Sequence, residues 1–116
     1  MIEMDADAFE DLVAAELDAL PDEMVAGLDN VVFVVEDRPE DGGLELFGLY
    51  EGLALTERDR YGLGDLPDRI SVYREPHLHA CDDLEQLKDE IHTTLIHEIA
   101  HFYGIDDSRL HDLGWA

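Results

Sequence analysis

The chain has 116 residues, enough for one domain, and its 46% apolar content allows one modest core. Thirty acidic side chains against seven basic ones give a net charge of −23, a field that repels nucleic acid and anionic membranes and favours cationic partners and divalent ions. No apolar run approaches the roughly 18 residues that span a bilayer, and the acidic opening "MIEMDADAFEDL" lacks a signal-peptide pattern, so a soluble, cytoplasmic protein is expected.

Asp5 to Leu20 places Phe9, Leu12, Val13, Ala15, Leu17 and Leu20 near 3.6 spacing, which predicts a first amphipathic helix ended by Pro21. Val31 to Val35 is an unbroken β-branched and aromatic run and predicts a strand with both faces covered. "EDGG" is a turn, and Leu44 to Tyr50 predicts a second strand, with Gly48 marking a bulge or a close backbone approach. Leu53 to Leu66 has no period and predicts a loop, with a short strand at its start as an option. Ile70 to Tyr73 predicts a third strand and "REPHLHA" a connector.

The longest helix follows. Asp82 can cap it, with Glu85 three residues on completing a capping box. Leu84, Leu87, Ile91, Leu95, Ile99 and Phe102 form one apolar stripe, and Gly104 ends the helix in a left-handed conformation. A last short helix, Asp107 to Leu113, carries Leu110 and Leu113 inward. Cys81 is the only cysteine, so no internal disulfide forms, and it reads as a small core or surface residue. No repeat or linker divides the chain. This order of elements predicts a single α+β domain over residues 1–116, one twisted sheet with the long helix packed across a face.

The chemistry sits in "HEIAHFYGIDD", His97 to Asp107. Residues four apart on a helix lie one turn above each other, so His97 and His101 project side by side and can reach one cation at roughly 2.0–2.1 Å. Glu98 can lean toward a water on that cation without being a ligand. A catalytic zinc site needs one more protein ligand and an open position. A helix running on past Phe102 would carry Asp107 about 9 Å along the axis from His101. A left-handed Gly104 instead turns the chain back, so the Asp107 carboxylate can complete the set. The chemistry implied is metal-assisted hydrolysis with Glu98 as general base.

These residues resemble a family of very small zincin-like metallopeptidases. The resemblance covers almost the whole chain, through "ALPDE", "VVFVVED.P", "GLYEG", "LPDRI" and, most specifically, "HEIAHFYGIDDSRLHDLGW". It implies a minimal zincin fold: a small mixed sheet with a long active-site helix. It further implies a Zn2+ held by His97, His101 and Asp107, Glu98 as catalytic base, and a peptide or protein substrate. Met1, Met4 and Met24 all lie far upstream of the motif, so the methionine turn of larger zincins has no counterpart here. A protein partner could complete the cleft.

Other residues carry open alternatives. His111, four past Asp107, is a surface histidine, a group orienting Asp107, or itself the third ligand. His77 and His79 share a face if their segment is extended, as an exposed pair or as an oxyanion donor near the site. His92 lies about 140° around the helix from His97 and should not join the site. Tyr50, Tyr61 and Tyr73 are core-edge aromatics or oxyanion donors. Three functions compete: a zinc peptidase, a metal-binding but catalytically inactive domain acting through partners, and a metal-free acidic interaction module. Metal content separates the third from the others, and Glu98→Gln separates the first two.

Overall fold

A computed structural model describes residues 1–52 and 67–114, the side chain of Asp107 excepted. The region 53–66, and with it the expected loop and Tyr61, lies outside the described residues. Helix α1 spans Ala6–Asp18, and Asp5 caps it by accepting from the Ala8 amide at 2.8 Å. A short helix α2, Asp22–Ala26, follows Pro21, which opens a helix readily because it needs no amide donor there. Strand β1 is Val31–Glu36, β2 is Gly48–Glu51 and β3 is Asp68–Tyr73. Helix α3 is Arg74–Ala80, α4 is Leu84–Tyr103 and α5 is Asp107–Leu113.

The three strands form one mixed sheet in the order β1-β3-β2, with β1 parallel and β2 antiparallel to β3. The central β3 buries Asp68 and Ile70 to Tyr73, leaving only Arg69 exposed. Helix α4 packs on β2 and β3, and α1 packs on α4. Leu87, Ile91, Leu95 and Ile99 of α4 close one core with Phe9 and Val13 of α1 and with Ile70 and Val72 of β3. The α+β class and the long helix across the sheet are as the sequence predicts.

Several details differ from expectation, each for a local reason. β1 does not have both faces covered: as an edge strand it leaves Val32 44% exposed. The second strand starts at Gly48 rather than Leu44. Tyr73 donates to the Phe47 carbonyl at 2.9 Å, but β3 then turns into α3, so residues before Phe47 have no ladder partner. "REPHLHA" is helical rather than a connector; Pro76 sits in its first turn, where its missing amide costs nothing. Asp83, not Asp82, caps α4, accepting from the Gln86 amide at 2.8 Å. Gln86 reaches back to the Asp82 amide, and the Asp82 carboxylate takes the N-terminal ammonium instead. Leu84 and Leu113 are exposed, whereas Leu110 is buried as expected.

Candidate functional site

Helix α4 carries its apolar stripe inward and turns its last two turns into a site. His97 and His101 are both exposed, while Glu98 between them is only 9% exposed. Glu98 is drawn in because the helix face it occupies meets β2. At Gly48 a Cβ would stand 3.1 Å from Glu98 Cγ, 2.7 Å from Thr94 Cγ2 and 3.1 Å from the Ser71 carbonyl. Gly48 is therefore the close backbone approach that the sequence suggested, and it sets the strand directly against the helix at the glutamate.

His101 Nδ1 lies 3.1 Å from Glu98 Oε1. A proton on Nδ1 donates to that carboxylate, which orients a ring that is 61% exposed. Beside these groups is a cavity of about 220 Å³ lined by Glu45, Leu46, Phe47, Glu90, Thr93 and His97, among others.

The helix stops as predicted. Gly104 has φ 73° and ψ 32°, and Ile105 donates back to the Ala100 carbonyl at 2.9 Å, a Schellman closure of the last turn. The chain then enters α5, capped by Asp106, whose carboxylate accepts from the Arg109 amide at 2.9 Å. Asp107 is the first residue of α5, but its side chain lies outside the described residues. His111 is exposed on the last turn of α5. Among the described residues, no group of three His, Cys, Asp or Glu side chains is gathered closely enough to hold a metal ion. The structure brings Glu98 to His101 by a hydrogen bond and places His97 with Glu98 in the lining of the same cavity.

The remaining histidines and tyrosines separate by their partners. His92 faces α1, with Nδ1 3.9 Å from Glu16, and stays out of the site as expected. Tyr50 donates to Asp68 at 2.6 Å, and its ring centroid is 6.5 Å from that of His101. Tyr73 is buried on β3, and burial pushes its phenol pKa up.

His77 is the sharpest correction. It is 0% exposed, not one of a solvent-facing pair, because its segment is a helix packed under α4. Its ring sits between Phe47, at 4.9 Å, and Phe9, at 5.6 Å. Nδ1 is 2.7 Å from the Tyr73 carbonyl and must donate to it. Nε2 is 2.9 Å from the Thr94 hydroxyl, which also lies 2.9 Å from the Glu90 carbonyl and has one proton to give. Burial holds the His77 pKa below the ordinary imidazole value, and the Thr94 hydroxyl donates to the Glu90 carbonyl.

A small mixed sheet crossed by a helix that exposes two imidazoles a turn apart, around a buried glutamate, defines a metallopeptidase-like α+β domain. The chain belongs to the zincin-like metallopeptidase family, whose family model matches residues 28–115. Among solved structures it is similar to a conserved hypothetical protein from Thermo thermophilus. That pair is 23% identical, with 95% of this chain and 97% of the other covered, at a TM-score of 0.55. This likeness shows a shared fold. No curated protein matches the chain. Among the described residues, no helix is long and apolar enough to cross a membrane.

Proposed function

We propose that this chain is a zinc-dependent peptidase, with Zn2+ held by His97, His101 and Asp107 and with Glu98 as general base. The observation that carries the reading is the end of α4: two exposed imidazoles one turn apart, a glutamate between them, and a left-handed Gly104 that redirects the chain to Asp107. When bound, zinc supplies Lewis acidity and brings the pKa of its water toward ~7. Glu98 takes a proton from the attacking water and delivers it to the leaving amine. Its burial against Gly48 holds the carboxylate in place for both transfers. His111 remains the alternative third ligand, or the group that orients Asp107.

The substrate is a peptide in extended form. Among the described residues β2 pairs with β3, so an added peptide strand would have to lie along its other edge. A peptide adding to that edge would run past Glu98 and His97. Nucleic acid and anionic membrane surfaces are disfavoured by the net charge of −23.

One observation favours the alternative, a metal-binding but catalytically inactive domain that acts through protein partners. Glu98 already accepts from His101, and a carboxylate in that position can serve to orient a ligand rather than move a proton. Glu98→Gln decides between them. With about one zinc per chain in both proteins, the peptidase reading expects hydrolysis of a peptide library by the wild type and its loss in the variant. A zinc-loaded wild type that cleaves no member of the library leaves only the inactive domain.

A further inference from the structure

The cavity beside His97 and Glu98 has a sided chemistry. One wall is residues 45–48 and the other is a face of α4, where Glu90, Thr93, Thr94 and His97 follow helical spacing. Apart from His97 and Glu98, its ionisable lining is Glu45, which is exposed, and Glu90, which is half-buried. Among the described residues neither carboxylate has an ion-pair partner. Arg38, Arg69 and Arg74 are committed elsewhere, to Glu75, to Glu36 and Glu51, and to Asp37. No described Lys or Arg lines the cavity. Leu46 and Phe47 complete it with apolar surface. An apolar wall leading to two uncompensated carboxylates matches the aliphatic stem and cationic head of a Lys or Arg side chain.

Size and position narrow the occupant. At about 220 Å³ the cavity is smaller than the roughly 300–1,000 Å³ of small-molecule sites, so it suits one side chain rather than a whole ligand. Glu90 precedes His97 by seven residues, roughly 10 Å along the helix axis. That is about three residues of extended peptide. It also exceeds the Debye length of about 8 Å at physiological salt, so a dication at His97 does not cancel the attraction of the Glu90 carboxylate.

We infer that this cavity is a subsite for one Lys or Arg side chain, within three residues of the cleaved bond and on one side of it, so the substrates are cationic peptides. The word "cleaved" rests on the peptidase reading; the subsite itself is open to a binding test that does not. Zinc-loaded Glu98→Gln protein is titrated with a labelled hexapeptide carrying one lysine and with its norleucine counterpart. The lysine peptide should bind about fivefold tighter, an advantage that shrinks as NaCl is raised. Adding Glu90→Gln or Glu45→Gln should remove most of it. Adding Glu10→Gln with Asp11→Asn, two exposed carboxylates of α1, should leave it intact.

Equal binding of the two peptides overturns the subsite, and so does an equal loss in the α1 control, which would reduce the effect to the overall field. Cleavage profiling of the wild type should show Lys or Arg enriched at one position within three residues of the cut. Cleavage without that enrichment overturns the subsite and leaves hydrolysis standing. Lysine-selective binding without any cleavage keeps the subsite and sinks the peptidase reading.

Discussion

Histidine is used in two opposite ways around α4. His77 has both ring nitrogens occupied, by the Tyr73 carbonyl and the Thr94 hydroxyl, and two phenylalanines pack near its ring. His97 and His101 are exposed, and among the described residues one ring nitrogen of His101 meets the Glu98 carboxylate. A satisfied buried imidazole is a packing element, because any further ligand would first have to break its hydrogen bonds at a cost of about 1–3 kcal/mol each. An exposed imidazole whose other nitrogen is oriented by a carboxylate is ready for a cation. Residue type did not separate the two; hydrogen-bond saturation did.

The comparison is broken most directly by deleting one member of each kind. His97→Ala should weaken zinc binding by about a thousandfold or more, since a two-ligand site is left, while the zinc-free protein keeps its melting temperature to within about 0.5 kcal/mol of stability. Chelator competition and thermal melts of the apo protein read the two quantities. A zinc affinity unchanged by the substitution would remove His97 from the site.

His77→Ala should do the reverse. Loss of the buried ring packed against Phe9 and Phe47, together with its bonds to the Tyr73 carbonyl and the Thr94 hydroxyl, should cost about 3 kcal/mol in denaturant unfolding. The folded fraction should still bind zinc with wild-type affinity. A smaller effect is expected for Gly48→Ala, about 1–3 kcal/mol, because the new Cβ meets Thr94 Cγ2 at 2.7 Å and the Ser71 carbonyl at 3.1 Å. No loss of stability there would mean that β2 and α4 are not held as closely as described.

The smallest effect is a pH slope. Burial lowers the folded-state pKa of His77, so below the unfolded value of about 6.5 the unfolded chain takes up a proton that the folded one resists. Its contribution is complete above about 6.5 and is lost as pH falls from there toward the folded pKa. The slope cannot exceed about 1.4 kcal/mol per pH unit for this one group. Unfolding between pH 7.5 and 5.5 should show it in the wild type and a shallower one in His77→Gln. Equal slopes would mean that folding does not shift the pKa of His77.

Local signals made much of the fold legible. The α4 stripe from Leu87 to Phe102 and the Gly104 stop each depend on residues within one or two turns, and each appears where the sequence places it. Gly48 was legible as a close approach, though not what it approaches. The misjudged segments depended on distant partners. Leu44 to Phe47 has strand composition, but β3 ends before it can pair with those residues. β1 has the apolar run of a central strand, yet β3 takes the middle of the sheet.

The sequence by itself determined the local arrangement: which imidazoles share a helix face, which carboxylate sits between them, and where the helix ends. Those follow from the 3.6-residue period and from glycine's access to positive φ, and neither needs a partner segment. Only the tertiary structure decided which histidine is buried, how close β2 comes to Glu98, and that Glu45 and Glu90 share a cavity with His97. Burial and juxtaposition arise from segments far apart along the chain, and no local pattern encodes which of them will meet.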